Sequence, residues 1–150
     1  MRVAVNKVLR RNPPGSFWVI SVLLLVWNGM GVAAYLAQAF ADPETLAASY
    51  PPAEVAIMQS TPAWATAAFA VAVFAGLLGV IALLARKGIA RWLFILSLIG
   101  VIVQHSWTFG MSGLLDIVGA ERMIMPLIVV VICVFQIWYA GIGIKRGWIR

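Results

Sequence analysis

The residues of this chain that could do chemistry are few and uncharged. The stretch VIVQHSWTFG, Val101–Gly110, holds the single histidine, His105, with Gln104, Ser106 and Thr108 beside it. Asn28, Gln136 and Tyr139 are further isolated polar residues in apolar surroundings. A neutral imidazole, carboxamides and hydroxyls can hydrogen-bond an uncharged solute or grip a neighbouring helix. His105 alone could titrate, and the bland expectation is a neutral ring bonded to a neighbouring helix or subunit. The sharper expectation has His105, Gln104, Ser106, Thr108 and Ser112 lining a pocket open to the outside, walled by Trp107, Phe109 and Trp27. His105 lies about 100° around the helix from Gln104, so the two are not expected to face one point.

Other chemistries lack their residues. No acid falls within an apolar segment, so carboxylate-driven proton antiport has no carrier. One histidine cannot supply the axial ligands of a di-haem cytochrome, and the single Cys133 excludes a disulfide pair or CxxC motif. A zinc site takes about three protein ligands, and His105 has no companions in the apolar segments. No catalytic residue, metal or cofactor is expected, and the chain does not read as an enzyme. An active site would need folding to bring His105 to Tyr139 or Asp116. Cys133 reads as a small apolar filler.

These residues sit in a chain of 150 that is 63% hydrophobic and 11% charged. Soluble domains are about half apolar and a quarter charged, so this is the composition of a multi-pass membrane protein. A helix needs about 20 apolar residues to cross a hydrocarbon core of about 30 Å. Four segments qualify: 16–40, 63–85, 90–115 and 122–144, forming one all-α, four-helix transmembrane bundle with a loop at 41–62. The first apolar run exceeds the usual signal-peptide core of about 7–15 residues and is expected to be retained.

Charge sets the threading. The net charge of +6 lies in clusters: Arg2, Lys7, Arg10 and Arg11 at the start, Arg86, Lys87 and Arg91 in the middle, Lys145, Arg146 and Arg150 at the end. The first loop carries Asp42, Glu44 and Glu54, and the third carries Asp116, Glu121 and Arg122. The positive-inside rule places both termini and the RKGIAR turn in the cytoplasm, against anionic lipid head groups. Clusters at span ends are topology signals, and no nucleic-acid partner is expected. Ser60 or Thr61 is expected to cap the second span and Asp42 a short helix begun by Pro43, which Pro51-Pro52 ends, with AEVAIMQ as a second short turn. Trp18, Trp64, Trp92 and Trp148 read as interfacial anchors.

Lipid tails are as apolar as leucine, so helices associate over small residues and buried polar contacts. Ala68, Ala72, Gly76 and Gly79 form such a face on the second span, with Ala75 and Ala82 beside it, making it the expected centre of the bundle. Polar stripes follow the same period: Ser21, Asn28 and Tyr35; Ser97, Gly100, Gln104 and Thr108; Gln136, Tyr139 and Gly143. At about 1.5 Å per residue, Asn28, Gln104 and Gln136 lie about 18, 20 and 14 Å from the cytoplasmic side. One midplane layer of three carboxamides is expected, turned inward and bonded to one another.

The segments FWVISVLLLVWNGMGVAAYLAQ, TPAWATAAFAVAVFAGLLGVIALLARK, ARWLFILSLIGVIVQ and RGWIR resemble a family of small uncharacterised bacterial membrane proteins often labelled sugar transporters. The resemblance covers most of the chain. It implies four helices in a bacterial inner membrane and points toward transport, with no functional residues to carry over. Two functional readings follow. The first is a structural or accessory bundle that associates with itself or a partner membrane protein. It expects an uncovered small-residue groove and no solvent-filled cavity. The second is a transporter of a small uncharged solute, possibly a sugar, acting as an oligomer. It expects a cavity reaching Asn28, Gln104 and Gln136.

Overall fold

The computed structural model describes residues 11–150; Arg2, Lys7 and Arg10 of the N-terminal cluster lie outside them. The described residues are helical and contain no strand. Helix α1 spans Gly15–Phe40, α2 Pro43–Ser49, α3 Pro52–Gln59, α4 Ala63–Leu84, α5 Ala90–His105, α6 Leu114–Val118 and α7 Ile124–Lys145. A π-helical turn, Ser106–Met111, prolongs α5, and a 3₁₀ turn, Ala120–Met123, leads into α7. Four helical stretches are long and apolar enough to cross a membrane: Gly15–Phe40, Ala63–Leu84, Ala90–Met111 and Ala120–Lys145. The third ends four residues before the expected limit of 115, because the polar π turn gives way to Gly113 in a left-handed conformation with φ 72°.

Helices α4 and α5 form a central pair: α1 packs on α4 and α7 on α5, and α4 is the more buried of the two. The small-residue face makes this possible. A Cβ on Gly100 would lie 2.8 Å from both the Ala68 oxygen and the Ala72 nitrogen, so α5 rests directly on the α4 backbone. A Cβ on Gly79 would meet the Phe94 ring at 2.6 Å, and one on Gly76 would meet the Ser97 hydroxyl at 3.1 Å and overlap the Asn28 oxygen. Backbones this close gain dispersion contacts along the whole crossing. The Ser97 hydroxyl adds a buried bond to the Ala72 carbonyl at 2.6 Å.

The basic end is tied by its own backbone. Arg86, with φ 61°, donates through Nε to the Trp148 carbonyl at 2.8 Å and through Nη2 to the Arg11 carbonyl at 2.9 Å. The Arg150 amide donates to the Arg86 carbonyl at 3.1 Å, and the Gly88 amide to the Arg150 carbonyl. Ile149 is buried against Gly143, and Trp148 stands edge-on to Phe17 at 5.9 Å between ring centroids. Trp148 is therefore half-buried, packed on Phe17, whereas Trp18, Trp64 and Trp92 are exposed.

At the acidic end, Asp42 accepts from the Thr45 amide at 2.7 Å and caps α2. That backbone bond, with a bond from the Thr45 hydroxyl, holds the Asp42 carboxyl below its ordinary value. The cap is therefore fully present above the ordinary carboxylate pKa and lost as pH falls through the lowered one. Ser60 and Thr61 do not cap α4. Their hydroxyls bond back to the Ile57 carbonyl at 2.9 and 3.2 Å, closing α3, and Pro62 precedes the first residue of α4 without a side-chain cap. The mostly buried Glu54 of α3 takes Arg122 at 2.6 Å, pinning the first loop to the third.

Close approach should outweigh the Ser97–Ala72 bond between α5 and α4. Gly100→Leu forces α5 off α4 and is expected to destabilise by about 1–3 kcal/mol or more. Ser97→Ala removes a bond of a kind worth about 0.6 kcal/mol. Thermal unfolding of both variants in one detergent checks the order; equal shifts would refute it.

Candidate membrane-embedded cleft

Because α1 leans on α4 and α7 on α5, α1 and α7 are not a packed pair along their length. They meet at the basic end, where Phe17 stacks on Tyr139 at 6.2 Å between centroids. Beyond that base a cleft of about 360 Å³ opens between them, floored by α4 and α5. Ligand pockets run from about 300 to 1,000 Å³, so the cleft has room for a small ligand.

Each helix gives the cleft one stripe. Trp27, Asn28, Gly31, Ala34 and Gln38 come from α1; Pro126, Val129, Cys133 and Gln136 from α7 at spacings of three, four and three. Ser97, Val101, Gln104 and His105 come from α5, and Phe69, Ala72 and Val73 from α4. A second chamber of about 160 Å³ lies beside it, lined by Tyr35, Thr61, Thr66 and Thr108. The two share Gln38, Phe69 and Gln104 as a common wall.

The three carboxamides thus face one cavity, but the expected bonds between them do not form. Asn28 donates to the Leu24 carbonyl of its own helix at 2.8 Å, while its oxygen lies over Gly76. Gln104 donates to the Thr108 hydroxyl one turn on at 3.1 Å. Gln136 is 1% exposed and bonds to nothing among the described residues; its Oε1 is fully buried. A cavity separates Asn28 of α1 from Gln136 of α7, and Gln104 of α5, although α5 packs on α7, is taken up by Thr108 of its own chain segment. The buried Ser21 hydroxyl and Trp107 indole nitrogen also lack partners among the described residues, but neither lines the cleft.

His105 corrects two expectations. Its Nδ1 bonds the Val101 carbonyl of its own helix at 2.7 Å, not a neighbouring one. A carbonyl only accepts, so Nδ1 carries the proton and the neutral ring presents Nε2 as an acceptor. Gln104 and His105 also line the same cleft, because it spans a wider arc of α5 than a single point.

The remaining polar residues of α5 are used locally. Ser106, Thr108 and Ser112 return their hydroxyls to the carbonyls of Val103, Gln104 and Thr108 at 2.6, 3.2 and 2.5 Å. These bonds compete with the backbone ladder, and the helix widens there into its π turn, with the Ser112 amide reaching the Trp107 carbonyl at 2.9 Å. Thr108 faces the smaller chamber, while Ser106, Trp107, Phe109 and Ser112 line neither. Trp107 stands edge-on to Trp64, and Phe109 stacks on His105. Tyr139 is core packing, stacked on Phe17 and Phe135, and Asp116 is exposed on α6. Neither joins His105 in the cleft.

Sequence reading missed Cys133 and Gln38 as lining residues. Cys133 precedes Gln136 by three residues and Gln38 follows Gly31 by seven, so extending the polar stripes would have found both. Among the described residues no group of three or more His, Cys, Asp or Glu could hold a metal ion. No protein-family model, no curated protein and no solved structure matches the chain.

A buried amide without a partner costs roughly 1–3 kcal/mol. Gln136→Leu is therefore expected to raise thermal stability of the ligand-free protein, reversing the usual sign of a core substitution. A fall in unfolding temperature would show that Gln136 has a structural partner.

Proposed function

We propose that the chain is a membrane carrier for an uncharged, hydroxyl-bearing solute that binds in the cleft between α1 and α7. The observation that carries this reading is Gln136, a buried carboxamide with no bonding partner among the described residues, on the wall of a cavity that also holds Asn28, Gln104 and His105. Unpaired polar groups of this kind discriminate strongly for a ligand that completes them. No charged side chain lines either chamber, so a charged solute would find no counter-ion. The small-residue face of α4, which a self-associating bundle would use for its partner, is occupied by α1 and α5 of the same chain. The resemblance to proteins labelled sugar transporters points the same way.

In this reading the protein lies in a bacterial inner membrane with both termini in the cytoplasm. The basic end then rests on anionic head groups, at about 1 kcal/mol per base. Since the cleft opens between α1 and α7, a closed route across the bilayer needs a second subunit or a partner protein on that side. Green fluorescent protein fused after Arg150 should fluoresce in cells; a dark, full-length fusion would reverse the orientation.

The carrier reading is tested by flux in proteoliposomes. The panel holds free polyols, sugars and their single-chain esters and glycosides, with amino acids as charged controls. At least one neutral member should move faster with the wild type than with Gln136→Leu. Loss of one hydrogen bond to the solute corresponds to a fall of up to about tenfold. Equal flux through both proteins for every member would sink the reading.

A further inference from the structure

The chemistry of the cleft is divided along its depth. Gln136, Ser97 and Asn28 are its buried polar lining and His105 is a half-buried part of its α5 wall; at its rim Met30 of α1 and Met125 of α7 are each 61% exposed. Trp27 and Val129 complete apolar walls between. The gap between α1 and α7 runs along two helices long and apolar enough to span a membrane, so along most of its length it faces where acyl chains would lie, and Gln38 and Met125 carry it to the acidic ends of those helices.

We infer that the cleft takes a neutral single-chain amphiphile from the bilayer, its hydroxylated head among Gln136, His105 and Asn28 and its hydrocarbon chain running out between α1 and α7. This rests on the carrier reading and narrows its substrate to a class such as monoacylglycerols or alkyl glycosides. Head-group chemistry follows from the groups of the lining. Gln136 carries an amide donor and a fully buried, unpartnered acceptor oxygen that a ligand reaches once the side chain turns, and His105 Nε2 is an acceptor in the neutral ring whose Nδ1 donates to the Val101 carbonyl. A hydroxyl serves both roles. A phosphate, which at neutral pH is chiefly an acceptor, would leave both acceptors unpaired and bury its charge without a cation. The cleft volume of about 360 Å³ suits one head and the start of one chain, and the base closed by Phe17 and Tyr139 stops the head from passing deeper.

The test uses full-length protein, one copy per nanodisc of dioleoylphosphatidylcholine, and a monoacylglycerol bearing a diazirine in its chain. Irradiation should give adducts on the cleft faces of α1 and α7. Monoolein at about ten times its Kd should reduce them about tenfold by mass action, while free glycerol should leave them unchanged. Gln136→Leu should shift the competing concentration upward by up to about tenfold. Adducts that monoolein does not compete overturn the inference. If a free polyol still shows Gln136-dependent flux, the carrier reading survives that result; if no solute does, both fail. Adducts lost in two-copy discs without competitor would assign the cleft to a second copy and also overturn the inference.

Discussion

Everything in this bundle is arranged around the contact of two backbones. Gly100 brings α5 within van der Waals reach of the Ala68–Ala72 stretch of α4, at a distance no Cβ could share. Inside a bilayer this is the available glue, since leucine gains nothing by leaving lipid for protein. Once α5 is seated there, Ser97 reaches the Ala72 carbonyl and Phe94 closes over Gly79. Asn28 then settles over Gly76 from the other side and fixes where α1 must lie.

The cleft is a consequence of that seating. With α4 and α5 pressed together and each carrying one outer helix, the outer helices stand apart except where large side chains bridge them. Phe17, Tyr139 and Trp148 do so at the basic end. There the backbone clasp of Arg86 with Trp148 and Arg11 completes the closure. Farther along, α1 lines the opening with Trp27, Met30, Gly31 and Ala34 and α7 with Met125, Pro126 and Val129, and the cavity stays open between them. The polar groups that end up there face a cavity and one of them is left unpaired.

In the proposed reading, stability and ligand binding pull against each other at Gln136. Several polar groups are satisfied locally: Asn28, His105, Ser106, Thr108 and Ser112 each return a bond to a carbonyl three or four residues back, whereas Ser21 and Trp107, away from the cleft, share the unpartnered state of Gln136 among the described residues. Such bonds satisfy the group without a neighbour, and at the end of α5 they widen the helix into a π turn, a feature frequent at functional sites. The Gln136 oxygen cannot be satisfied in that way, because it is itself an acceptor. An amide kept unbonded in the least aqueous part of a protein is the kind of local inconsistency expected where a ligand completes the site.

Length and hydropathy were enough to mark four spans within a few residues of where the helices lie, because a bilayer admits few alternatives to a continuous helix. The spacing of Ala68, Ala72, Gly76 and Gly79 likewise marked the face of α4 that α1 and α5 approach, though the centre is shared with α5. Asn28, Gln104 and Gln136 could be placed at similar depth by rise per residue. Whether they would touch was another matter. Depth and facing are one-dimensional properties of each helix, but the separation of α1 from α7 depends on how all four pack, and that follows from side-chain bulk at distant positions such as Phe17 and Tyr139. Sequence periodicity therefore determined that the amides turn inward; only the tertiary arrangement decided that they turn toward an opening and not toward each other.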